Sequence, residues 1–162
     1  MALMVIDLQK AYRNQRNGEA MDQACEYINA VLPLFRKAGL PVVWVQNREA
    51  DEGVVPGSEG FEFVDALRPE EGEPRIVKDY GNSFNKTGLA EIMRGRAIDT
   101  VLLTGYCAEH CVLSTYRGAQ DLDLTPVLLK NAIASDEREN ALFVEKISNI
   151  MSYQVLRRML GS

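Results

Sequence analysis

Residues 99–111 read DTVLLTGYCAEHC, and this stretch decides the fold. Val101, Leu102 and Leu103 form a short apolar run, which is the pattern of a strand buried on both faces of a parallel sheet. Thr104 and Gly105 end the run, and a polar, cysteine-bearing segment follows it. A strand that turns at glycine into a helix is the unit from which alternating α/β proteins are built. It also concentrates chemistry: two of the three cysteines and the only histidine of the chain fall within five residues.

The flanking sequence repeats the alternation. Ala2–Leu8 (ALMVIDL) is a second apolar run and ends beside a carboxylate. Residues 19–38 place Ala24, Ile28, Val31, Leu32 and Phe35 at helical spacing. Pro33 within that helix predicts a kink or break. PVVWVQ (41–46) is a strand, and RIVKD (75–79) is a shorter one carrying Lys78. Residues 47–75 are rich in Gly, Pro and acidic residues, with FEFVDAL (61–67) a possible short helix. An irregular stretch of this length suits a lid or a pocket wall. Residues 87–95 and 108–121 read as helices, and TPVLLKNAI (125–133) as a strand. A further helix spans 136–147, with Ser135 as its N-cap. Residues 148–160 fit either a short strand or a helix. The class is α/β, a three-layer α/β/α single domain over residues 1–162 with a mostly parallel, Rossmann-like sheet.

Composition narrows the function. The chain has 162 residues, 46% hydrophobic and 25% charged, with a formal net charge of −5. No basic run or long apolar segment points to nucleic acid or membrane as partner. No leader pattern opens the chain, and its cysteines number three, so a reduced cytoplasmic protein is expected.

Ligands of open α/β sheets bind beyond the carboxyl ends of the strands. That rule gathers Asp7, Lys78 and the 107–111 cluster on one edge. Four readings of the cluster compete. Cys107, His110 and Cys111 have i, i+3, i+4 spacing for a metal, but zinc sites want four ligands or three plus water. A redox-active CxxxC pair is a second reading, though CxxC is the usual spacing. Buried packing is a third reading, and it fits Cys25 best. The fourth is a nucleophile at Cys111, with its thiolate favoured by the helix start and by Lys78. Asp7 would be its base, and backbone N–H groups of the same turn would hold an oxyanion. His110 is a rival base, but neighbouring helical residues point about 100° apart. It fits solvent, pocket rim or a subunit contact better.

At this point the residues resemble the isochorismatase-like cysteine hydrolases. LMVIDLQ (3–9) resembles the family's first strand, ending in the catalytic aspartate. VKDYGNSFNKTGL (77–89) resembles its K-x5-F-x2-T-x-L segment, with Lys78, Phe84, Thr87 and Leu89 in register. VLLTGYCAEHCVLSTYRGAQDLDLTPVLLKNAIAS (101–135) resembles its T-G-x5-C-V segment. The resemblance implies a six-stranded parallel sheet and an Asp7–Lys78–Cys111 triad. It implies a cis bond between Tyr106 and Cys107, and an oxyanion hole from the backbone N–H groups of Cys107 and Cys111. It further implies hydrolysis of a C–N bond of a small molecule through a thioester. Two alternatives stand beside this: vinyl-ether hydrolysis resting on the aspartate, or a non-catalytic binding subunit. Gln9, Tyr12, Phe84, Tyr106 and His110 are candidates for the substrate pocket. Metal-dependent relatives carry histidines after the second strand; QNREADEGVVPG (46–57) has none, so neither metal nor other cofactor is expected. TYRGAQ (115–120) replaces the TARDA-like stretch that the resemblance implies, and its bulky Tyr116 and Arg117 suggest a narrowed pocket or an interface. A homo-oligomer, most simply a dimer, is expected from the family and from apolar VLRRML (155–160).

Overall fold

The computed structural model describes residues 1–161. Its six strands are β1 (Ala2–Ile6), β2 (Val42–Asn47), β3 (Arg75–Lys78), β4 (Thr100–Tyr106), β5 (Thr125–Ala134) and β6 (Ile150–Met151). They form one sheet in the order β3-β2-β1-β4-β5-β6, and every pairing is parallel. The helices are α1 (Gly18–Lys37), α2 (Leu89–Gly95), α3 (Leu113–Asp121), α4 (Arg138–Lys146) and α5 (Tyr153–Leu160).

Two cores sandwich the sheet. Alternate residues of β1 divide between them: Leu3 and Val5 face α1 and its Ile28, Val31 and Phe35, while Met4 and Ile6 face Leu89, Met93 and Val112. β1 is thus buried on both faces, as its unbroken apolar run requires. Because the chain lays β2 and β3 on one side of β1 and then returns to place β4 on the other, the strand order reverses at β1/β4. That reversal opens a crevice at the carboxyl edge.

The central pair approach very closely. Gly105 pairs with Ile6 and has φ +124°. A Cβ there would lie 2.0 Å from the Ile6 carbonyl oxygen, so no larger residue fits.

Several expectations change. The helix at 18–37 runs through Pro33 without a break, because that proline lies on the exposed face, where the freed carbonyl can reach water. FEFVDAL forms no α-helix; a 3₁₀ turn at Glu59–Phe61 is followed by an isolated bridge from Phe63 to Gln9 and a turn closed by the Leu67 N–H on the Val64 carbonyl at 3.0 Å. Phe63 meets Trp44 edge-on with centroids 5.1 Å apart, and Val64 and Leu67 join the same core. Ser135 is not the N-cap of α4. Glu137 occupies that position, and the Ser135 hydroxyl accepts the Glu137 N–H at 3.1 Å. The ambiguous end resolves into both elements, β6 and then α5, which Ser152 caps through the Val155 N–H. On α5, Leu156 is buried while Val155 and Met159 are exposed. No helix among the described residues is long and apolar enough to cross a membrane.

Candidate active site

Asp7 follows β1, Lys78 closes β3, and Cys111 lies in the turn after β4. Although β3 is two strands away from β1, the long lysine side chain crosses above β2. Its Nζ stands 2.7 Å from Asp7 Oδ2 and 3.3 Å from Cys111 Sγ. The Asn47 side-chain oxygen, at the end of β2, accepts a third contact from the same Nζ at 3.1 Å. The Asp7 and Lys78 side chains are 1% and 0% exposed.

The ion pair is close but not well aimed. Neither Asp7 carboxylate oxygen accepts a properly oriented hydrogen bond from any described residue, so both are left with lone-pair capacity in a buried site. Burial raises the Asp7 pKa, with the Lys78 charge opposing the rise. Burial also pushes the Cys111 thiol up to about 12, the Asp7 charge adding to the effect and Lys78 opposing it. Both influences on Cys111 that follow from burial and from Asp7 favour the thiol over the thiolate, against the pull of Lys78.

The turn bearing Cys111 is not α-helical from its start. Ala108–Val112 is a π-helical turn, with the Val112 N–H reaching back five residues to the Cys107 carbonyl at 3.2 Å. Such wide turns concentrate at functional sites. The Tyr106–Cys107 bond is cis, as the resemblance implied. No backbone acceptor among the described residues takes the Cys107 N–H. Cys107 itself is buried, its thiol bonded to Glu109 Oε2 at 3.1 Å and raised to about 12, chiefly by burial. Cys25 is buried against α1 packing partners, as read.

The pocket candidates separate. Gln9 is fully buried, and its side chain clamps Asn47 by accepting the N–H at 2.7 Å and donating to the carbonyl at 3.0 Å. It is therefore a tie between β1 and β2 rather than a substrate contact. Phe84 packs in the core with Ile76 and Leu89. His110 is exposed. Tyr12 and Tyr106 stack side by side, centroids 5.9 Å apart. Tyr116 does not narrow the pocket: it is buried in the core, with its hydroxyl accepting the Asn149 N–H, and Arg117 lies exposed beside its ring.

Three relevant residues escaped the sequence reading. Asn47 could have been found by the strand-end rule that found Asp7. Glu49, just beyond β2, takes bonds from Tyr12 and Asn47. Glu109 accepts from Ser135, Asn140 and Cys107, joining the π turn to the start of α4. The donor atoms of Cys107, Glu109 and His110 lie within 4.8 Å of one another, but the carboxylate already holds these three partners. The trio Cys107, His110 and Cys111 is not assembled as a metal site, because Cys111 turns toward Lys78. A cleft of about 420 Å³ between α1 and α4 holds none of the reactive groups.

Comparison with known proteins gives the family. The isochorismatase domain matches residues 1–151. The chain belongs to the isochorismatase family. The isochorismatase family protein YrdC of Bacillus subtilis strain 168 is 32% identical over 137 residues, covering 83% of this chain and 73% of its own length. The ureidoacrylate amidohydrolase RutB of Klebsiella pneumoniae is 28% identical over 171 residues, covering 81% of this chain and 72% of its own. The structure of an isochorismatase family protein from Desulfovibrio vulgaris superposes with a TM-score of 0.87 at 24% identity, covering 99% and 98% of the two chains. The fold is therefore the family's, and the protein is a hydrolase of that family, whose relatives include amidohydrolases.

Proposed function

We propose that this isochorismatase-family hydrolase is a cysteine amidohydrolase cleaving a C–N bond of a small molecule. The observation that carries the reading is the Lys78 ammonium, which touches both the Asp7 carboxylate and the Cys111 sulfur in a buried site. The amidohydrolase RutB among its relatives supports the bond type.

Asp7 removes the thiol proton as the sulfur attacks the carbonyl carbon, forming the C–S bond. Proton transfer by a placed carboxylate contributes about 10²–10⁴ in rate. Lys78 stabilises the sulfur charge as it develops. The N–H groups of Cys107 and Cys111 receive the oxyanion. The tetrahedral intermediate collapses, the C–N bond breaks, and Asp7 returns the proton to the departing nitrogen. Water, deprotonated by Asp7, then cleaves the thioester and restores the thiol.

A screen of small amides and ureides, read by ammonia release, tests the proposal. Wild type is expected to hydrolyse a subset and to show a covalent adduct at Cys111 in intact-protein mass spectra. Cys111→Ala is expected to do neither. Turnover by Cys111→Ala at the wild-type rate would sink the covalent mechanism and leave chemistry resting on Asp7.

A further inference from the structure

The rim of the site carries charge in a pattern that the reaction does not use. The Tyr12 hydroxyl donates to Glu49 Oε1 at 3.0 Å, and the Tyr106 hydroxyl donates to Asp136 Oδ1 at 2.9 Å. The two rings stack between these anchors. Both aromatic walls are therefore tied off by a carboxylate. Glu49 Oε1 also accepts from Asn47 Nδ2 at 2.7 Å, and the other end of that amide accepts from Lys78. Three hydrogen bonds thus lead from Glu49 to Cys111 Sγ.

Nearby cations are already matched. Lys78 faces Asp7, Arg13 faces Asp22, Arg48 faces Asp79 and Arg16 faces Glu137. Lys86, farther along the β3–α2 segment, lies against the Tyr80 ring. With Asp7 and Lys78 cancelling, Glu49 and Asp136 leave the rim negative. A carboxylate on the substrate would meet repulsion without an arginine to receive it, whereas amide N–H groups or a cation would meet acceptors and aromatic faces.

We propose that this rim admits neutral or cationic amides and turns away carboxylate-bearing ones, with Glu49 as the residue that sets the preference. The inference rests on the cysteine-amidohydrolase reading for its substrate class, but the charge filter is measurable apart from hydrolysis.

Iodoacetamide and iodoacetate alkylate thiols with loss of iodide and differ by one negative charge. Their rates at Cys111 would be measured by peptide mass mapping at mildly alkaline pH and low salt, with a small free thiol as reference. Wild type is expected to favour iodoacetamide over iodoacetate more strongly than the reference does. Glu49→Gln should reduce that excess about threefold to tenfold, the size expected of a single charge acting through partly screened surroundings. Glu49→Lys should reduce it further, and added salt should compress it. An excess unchanged in both variants would overturn the proposal. In a second arm, hydrolysis of propionamide is compared with that of succinamate. Glu49→Gln is expected to lower KM for succinamate relative to propionamide with little change in the kcat ratio. A charge filter that shows in alkylation while neither wild type nor variant hydrolyses any amide would count against the amidohydrolase reading alone. Hydrolysis with equal succinamate-to-propionamide ratios in wild type and both variants would count against the filter alone.

Discussion

Lys78 and Asp7 meet at 2.7 Å with both side chains withdrawn from water, although they come from strands that are not neighbours in the sheet. A buried pair of this kind is weak support for stability as a pair, but breaking it leaves one charge stranded. Lys78→Met should therefore destabilise the fold by about 3–5 kcal/mol at neutral pH. Asp7→Asn combined with Lys78→Met should recover much of that loss. Urea titrations of the three variants check this; a double variant as weak as Lys78→Met alone would refute it.

The same variant should respond to pH with a definite sign. Burial already raises Asp7, and removal of the opposing ammonium raises it more. Between the unfolded aspartate value and the raised folded one, the folded state holds a proton that the unfolded state has released. Stability linked to Asp7 thus falls as pH rises through that window. The deficit of Lys78→Met against wild type should be small in acid and should grow toward neutrality.

Activity should show the same group from the other side. Asp7 must be ionised to take the thiol proton, so hydrolysis should fail as pH drops through its raised pKa. Cys111, held up to about 12, should give no thiol titration near neutrality. Ultraviolet thiolate absorbance in a Cys25→Ala, Cys107→Ala background checks the second point. A thiolate already formed at neutral pH would contradict it.

The three reactive groups should behave as one unit. Asp7→Asn and Cys111→Ala should each remove most of the rate, and the double variant should lose little more, because groups that act together are strongly non-additive. Additive losses in kcat would show that the two residues act in separate steps.

Cys107→Ala should keep activity within roughly tenfold, about 1.4 kcal/mol of barrier, since the backbone N–H at that position survives. His110→Ala should do the same, given its exposure. Kinetics on a shared substrate decide between these residues and Cys111 as the one that is needed.

The alternation of apolar runs and amphipathic segments made the layers and strands legible, and strand ends brought Asp7, Lys78 and Cys111 to one edge. What the sequence hid follows from geometry rather than pattern. Pro33 costs its helix a hydrogen bond wherever it sits, but the cost is smaller where the freed carbonyl reaches water, and which face it takes is a tertiary fact. The π turn at Ala108–Val112 has no periodic signature within five residues. Gln9, two residues beyond Asp7, reads as a pocket candidate, yet its amide is consumed by Asn47. Glu49 sat in a stretch whose acidic composition predicts only exposure. The rise of the Cys111 thiol depends on how deeply the crevice is buried, and spacing carries no information on depth.

The place of β1 between β2 and β4 has a kinetic consequence. Its pairing with β4 joins residues nearly a hundred positions apart, as in Ile6 with Gly105. Contacts of such separation form slowly, after local helices and neighbouring strands. The crevice between these two strands does not exist before they close, so a refolding chain should regain helical circular dichroism before the Cys111 thiol is withdrawn from reagent. The timing of thiol protection would then serve as a clock for the last long-range step of folding.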